Sequence, residues 1–283
     1  MYDEERPYDV IADNKDRAYR QRTWDTASGL QAVDGLTVSA FAQEAAASYI
    51  SGEYGTSELK QELESHYEGE QSRQAEADIV AGRIVGMLSG AETSTFKLAP
   101  EALRRIHKLL FDGQLPDVQW AGNWRTENIA KAEPVLGGRT VAYGDWEMIS
   151  DLLAYDFDQE RAFRYDDIRA LGEIRHFADF IASIWQVHPF REGNTRTIAT
   201  FAQIYLAQFG IAPGNDLFRD NSTWFRDALV RASYSSIRDG IEENPAFIRA
   251  FFENIIIGAG NDIASMDLNL HGVRVSNTPY RQH

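Results

Sequence analysis

Apolar residues recur at three- and four-residue spacing through IVAGRIVGML (79–88), LAPEALRRIHKLLF (98–111) and DIRALGEIRHFADFIASIW (167–185), the periodicity of helices that bury one face. The first and third read as core helices. ENPAFIRAFFENIII (243–257) continues the pattern, with Asn244 as an N-cap and Pro245 at the first helical position. TRTIATFAQIYLAQFG (195–210) is apolar at Ile198, Phe201, Ala202, Tyr205 and Phe209 and takes Asn194 as its cap. Further upstream, residues 34–63 read as two helices divided by Gly52 and Gly55. One stretch breaks the helical rhythm. In AEPVLGGRTVAYG (132–144), Val135-Leu136 and Thr140-Val141 flank Gly137-Gly138, which predicts a tight hairpin with positive φ at its turn. The polar run ESHYEGEQSRQAEAD separates the upstream helices from the rest, giving units over 1–67 and 68–283. The expected fold class is mainly α with one small β-hairpin.

Composition narrows the function classes. Acidic residues outnumber basic ones by 43 to 28, a net charge of −15, which excludes a broad nucleic-acid surface but not a local basic pocket for a nucleotide. With no cysteine, neither a disulfide framework nor a Cys-type zinc site can form. The opening MYDEERPYDVIADNKDR lacks the apolar core of a signal segment and no later run reaches transmembrane length, so a soluble cytoplasmic protein without membrane contact is expected.

The chemistry concentrates in HPFREGNTRT (188–197). Pro189 disfavours helix in the residue before it, so a helix should end near His188 and another begin just after Gly193. The first N–H groups of that second helix have no internal partners and form an anion site, which Gly193 leaves open to close approach. His188 can take a proton near neutral pH, Glu192 is a hard oxygen ligand suited to Mg²⁺, and Arg196 offers a forked donor to phosphate. Phe190 is expected in the core, holding the loop rigid. Together they supply a base, a metal ligand, an anion hole and a clamp. The remaining histidines, His66, His107, His176, His271 and His283, read as structural or exposed.

This stretch resembles the signature of the Fic family, HPFx[D/E]GNGRxxR, at His188, Pro189, Phe190, Glu192, Gly193, Asn194 and Arg196. The similarity runs over roughly residues 98–240 and includes an upstream flap region, WAGNWRTENIAKAEPVLGGRTVAYGDWEMI. The resemblance implies a protein adenylyltransferase that moves AMP from ATP, with Mg²⁺, to a Tyr, Ser or Thr hydroxyl of a target protein. His188 would be the base and Glu192 would hold the metal. Gly193 and Asn194 would form the anion hole, with Thr195 and Arg196 completing the phosphate site. The flap, Val135, Leu136, Gly137, Gly138, Arg139, Thr140 and Val141, would align the target peptide by strand pairing. Two positions depart from the signature: Thr195 replaces a glycine and could narrow the phosphate path or add a hydroxyl, and Ala199 replaces a second arginine. Transfer of another nucleotide or phosphate-bearing group, or a non-catalytic nucleotide- and peptide-binding module, therefore stays open.

Upstream, GLQAVDGLTVSAFAQEAAASYISGEYGTSELKQEL (29–63) resembles an antitoxin of the Vbh type, with VDGL for LEGL and GEYGTSEL near GExxTS. That resemblance implies an intramolecular inhibitory segment with Asp34 as its acid, approaching Arg196 or the phosphate site. Asp is shorter than Glu by one methylene, roughly 1.5 Å of reach. The competing reading makes 29–63 a cover over an apolar face. A homo-oligomer is compatible with either.

Overall fold

A computed structural model describes residues 16–90, 96–212 and 216–270. Residues 1–15, which carry most of the reading against a signal segment, lie outside the described residues, as do His271 and His283. Ten α-helices are present among the described residues: α1 (Arg17–Gly29), α2 (Ala40–Ser51), α3 (Thr56–His66), α4 (Arg73–Ser89), α5 (Pro100–Phe111), α6 (Ile149–Ala162), α7 (Leu171–Val187), α8 (Asn194–Ala207), α9 (Asp216–Ala232) and α10 (Ala246–Ile257). No strand ladder forms among the described residues, whose antiparallel pairing is confined to two isolated bridges. The mainly α expectation holds, and none of these helices is long and apolar enough to cross a membrane.

All fourteen residues of α8 are buried, although its sequence predicted only one apolar face. Polar Thr195, Thr200 and Gln203 are admitted to the interior because neighbouring groups satisfy several of them. Thr200 Oγ1, for example, donates to the Arg196 carbonyl at 2.8 Å. Helices α5 and α7 pack against α8, as do α4 and the 3₁₀ turn Leu30–Asp34. The expected boundary near residue 68 falls in the connection between α3 and α4. One hydrophobic cluster nevertheless runs through both sides of it, joining Trp24, Leu30 and Tyr49 to Val80, Phe201 and Phe251. Across the same connection, the Tyr67 hydroxyl donates to Asp78 Oδ2 at 2.6 Å, while Asp78 Oδ1 accepts the Ser39 N–H at 2.8 Å.

Two cap predictions shift by a residue. Gly193, not Asn194, is the N-cap of α8. Helix α10 starts at Ala246 with Pro245, not Asn244, at its N-cap, while Asn244 Oδ1 accepts the Ala246 N–H at 3.1 Å from one residue further out.

The predicted hairpin is a correction. Gly137 and Gly138 do have positive φ (63° and 86°), but Pro134–Leu136 form a 3₁₀ turn closed by a single bridge, Glu133 to Arg139. Val135, Leu136 and Val141 are buried in the core rather than lying along a free strand edge. Their hydrophobicity, which suggested β-structure, anchors a loop instead.

Candidate active site

Helix α7 ends at Val187, and His188 is its C-cap with φ 50° and ψ 58°. It is the one non-glycine residue at positive φ among the described residues, a conformation costing an L-residue about 1 kcal/mol or more. The ring is buried. Its Nδ1 lies 3.3 Å from the Trp185 carbonyl, an acceptor only, so Nδ1 carries the proton and Nε2 keeps a lone pair. Tyr143 packs on the imidazole with centroids 4.2 Å apart, and Trp185 meets it edge-on at 5.1 Å. Burial, reinforced by the positive charge of Lys131, pushes the imidazole pKa down to about 3. His188 is thus a neutral base at physiological pH.

The loop after it is held from beneath. Phe190 is buried and stacks on His107 at 3.8 Å, as its expected core position required. His107 Nδ1 accepts the Gly122 N–H at 2.8 Å, so its Nε2–H donates to the Glu192 carbonyl at 3.0 Å. Burial lowers the His107 pKa to about 4. Gly193 has φ 72°, and a Cβ there would lie 2.5 Å from the Phe111 ring; both conformation and space demand glycine. Thr197 N–H to Gly193 O, at 3.0 Å, precedes the regular α8 ladder. The amides of Asn194, Thr195 and Arg196 come before it, at the positive end of the helix.

Two expected roles change. The Asn194 side chain does not face an anion: it accepts the Phe190 N–H at 2.9 Å and donates to the Phe190 carbonyl at 2.7 Å. It clamps the loop and leaves only its backbone amide for the anion hole. Thr195 Oγ1 accepts the Trp185 indole N–H at 3.0 Å, which fastens the start of α8 to α7.

His188, Glu192, Gly193, Asn194, Thr195 and Arg196 all line one cavity of about 960 Å³, as does Asp34. Glu192 is exposed there. Its carboxylate, one of four on the cavity with Asp34, Glu76 and Glu127, is a hard oxygen donor of the kind that suits Mg²⁺, which keeps several waters and shares its shell with substrate phosphates. No cluster of three or more metal-binding side chains exists among the described residues.

Arg196 is 1% exposed and engaged by three side chains of the upstream elements. Its Nη2 donates to Glu76 Oε1 at 2.6 Å and its Nη1 to Gln31 Oε1 at 3.0 Å. Its Nε lies 2.8 Å from Asp34 Oδ2, an ion pair without hydrogen-bond alignment. The guanidinium also stands over the Phe111 ring at 4.7 Å. Glu76 is itself shared with Arg73 at 2.5 Å. The sequence reading placed Asp34 near Arg196 but missed Gln31 and Glu76. Glu76 lies in the polar run ESHYEGEQSRQAEAD, where its one signal is a place between Ala75 and Ala77 just ahead of the apolar stretch 79–88; buried carboxylates need a partner.

Also unforeseen was a buried frame around the base. Glu133, fully buried, pairs with Arg226 and accepts the Tyr143 hydroxyl at 3.1 Å. Arg125 reaches the His188 carbonyl at 2.8 Å. On the open side, Arg191 stacks on Trp120 at 4.5 Å and pairs with Glu127. Lys131 lines the cavity with no carboxylate partner among the described residues.

No curated protein and no solved structure matches the chain. A match does come from the model of the Fic/DOC family, over residues 97–206. That range starts just ahead of α5, spans the Val135–Val141 loop and the His188 turn, and ends within α8, so it contains His188, the N-terminus of α8 and Arg196. Over residues 97–206, the stretch that holds the His188 turn, the chain is thus similar to the Fic/DOC family.

Proposed function

We propose that this chain is a protein adenylyltransferase that transfers AMP from ATP to a hydroxyl side chain of a target protein and is restrained by its own N-terminal segment. The observation that carries the reading is a neutral His188, its Nε2 lone pair free, in one cavity with the N-terminus of α8. A target hydroxyl would give its proton to Nε2 as its oxygen bonds to the α-phosphorus. The bond from the α-phosphorus to the bridging oxygen breaks, and pyrophosphate leaves. The amides ahead of Thr197 would neutralise charge on the phosphate oxygens. Arg196, once released, and Lys131 supply the remaining cations. Mg²⁺ held by Glu192 would add charge neutralisation on the phosphates.

The restraint rests on the occupancy of Arg196. With Asp34 and Glu76 on one guanidinium, the clamp presents carboxylates where phosphate oxygens belong, and like charges at this range repel. Residues Gln31 and Asp34 come from the turn after α1, which gives the N-terminal segment a direct grip on the site.

Incubation with α-labelled and γ-labelled ATP tests the reading. Label from the α-position should appear on protein and vanish in His188→Asn, a substitution that tolerates the left-handed backbone. Label from the γ-position would make the chain a phosphotransferase; no label from either, with Arg196 freed by substitution of its acidic partners, would refute the AMP reading.

A further inference from the structure

We propose that Arg125 is the positioning residue of this site, holding the His188 backbone in its left-handed turn and tying that turn to the segments carrying Tyr143 and the 127–141 loop. The inference rests on His188 being the base, as set out above.

The grip covers three consecutive carbonyls. Arg125 Nε donates to the His188 carbonyl at 2.8 Å, Nη2 to that of Val187 at 3.3 Å, and the Arg125 backbone N–H to that of Pro189 at 2.8 Å. The same guanidinium holds two further segments. Nη2 also donates to the Gly144 carbonyl, next to Tyr143, and Nη1 donates to the Glu127 carbonyl at 2.7 Å, where the loop toward Lys131 begins. One rigid fork of N–H groups thus fixes the helix end, the face of the imidazole and the loop beside the cavity.

The cost of this arrangement argues for its purpose. Arg125 is buried, and no carboxylate forms an ion pair with it among the described residues; desolvation lowers its pKa. A chain that needed only packing here could bury an apolar residue at less cost. What the guanidinium provides and an apolar group cannot is simultaneous hydrogen bonding to carbonyls that the left-handed turn takes out of the helical ladder. Other groups around the imidazole cannot do this. Tyr143 and Trp185 contact the ring, while Lys131 and Arg226 act on it only through charge. Lysine at position 125 would retain the charge and the backbone bond to Pro189 but, as a point donor, could not span the four carbonyls that the guanidinium holds.

The decisive variant is Arg125→Lys in the full chain, read two ways. Imidazole nitrogen resonances report the His188 tautomer, and ring-to-ring contacts report its packing on Tyr143, both without any need for activity. Steady-state rates report kcat and the KM for ATP. We expect loss of the single Nδ1–H tautomer, weakening of the Tyr143 contact, and a fall in kcat of about 100-fold with the KM for ATP little changed, as displacement of a reacting group produces. A folded Arg125→Lys with wild-type tautomer and wild-type Tyr143 contact overturns the proposal. If a chain with Arg196 freed by substitution of its acidic partners transfers nothing while the tautomer still changes in Arg125→Lys, the AMP-transfer reading fails and the positioning role stands. Should Arg125→Lys not fold, the wild type decides. The Arg125 Nε–H, sealed against the His188 carbonyl, should exchange with solvent far more slowly than an exposed arginine, and exchange at the exposed rate overturns the proposal.

Discussion

His188 spends conformational energy to be where it is, and Arg196 spends none of its hydrogen-bonding capacity on solvent. These two residues define the site's resting state. The first is held neutral and aimed by Trp185, Tyr143 and Arg125; the second is covered by Gln31, Asp34 and Glu76. Because two acids share Arg196, removing Asp34 alone leaves the more buried Glu76 in place. Asp34→Ala should therefore raise the initial rate of AMP transfer only partially, and Asp34→Ala with Glu76→Gln should raise it further. Equal rates in wild type and double variant would show that the carboxylates do not restrain the enzyme. The melting temperature should fall more for Glu76→Ala than for Glu76→Gln, because the amide can still accept from Arg196. Breaking a buried pair outright costs about 3–5 kcal/mol.

At the level of elements, the loop between α5 and α6 differs most from its expected form. Its Val135, Leu136 and Val141 point inward, and the segment along the cavity is Glu127–Ala132, ahead of the Glu133–Arg139 bridge. Thr140 contributes by accepting the Lys131 N–H through Oγ1 at 3.1 Å. A target peptide would thus find its backbone partners near Ala130, whose own N–H makes no hydrogen bond among the described residues. Ala130→Pro removes that donor. We expect it to lower target modification several-fold while ATP affinity, measured by calorimetry, stays near wild type. A parallel loss of ATP affinity would place the segment in nucleotide binding instead.

For the whole molecule, the buried histidines link the site to acid stability. His107 and His188 have pKa values lowered to about 4 and about 3, so each is neutral when folded and protonated when unfolded below about pH 6.5. The unfolded state then binds more protons, and stability falls as pH drops through this window, by about 1.4 kcal/mol per pH unit for each histidine. Asp156 opposes this trend: burial raises its pKa to about 6, so the folded state takes up its proton first. Burial raises the Asp227 pKa in the same direction, so each histidine's share is read from its own variant. His107→Gln should flatten the denaturation free energy against pH between about 6 and 4 by roughly one histidine's slope. Curves of equal slope in variant and wild type would mean that His107 is not held neutral by its burial.

Much of this protein is determined locally. Three- and four-residue spacing marks the helices because burial of one face follows directly from side-chain order. HPFREGNTRT (188–197) marks the site because a helix end, a glycine turn and a new helix start are consecutive in the chain, so base and anion hole are neighbours before any tertiary contact forms. Non-local partnership is what only the tertiary structure decided. Gln31 and Asp34 reach Arg196 across more than 160 residues, Glu76 reaches it from α4, and Arg125 holds a turn some 60 residues away. The Val135–Val141 loop belongs here too: its residues suit a strand, but with no neighbouring strand to pair with, burial of Val135, Leu136 and Val141 decided its form. A sequence specifies periodicity and adjacency directly. Which buried charge meets which depends on the packing of α4, α5, α7 and the Leu30–Asp34 turn against α8, because a polar group removed from water must find its partner wherever the fold brings one.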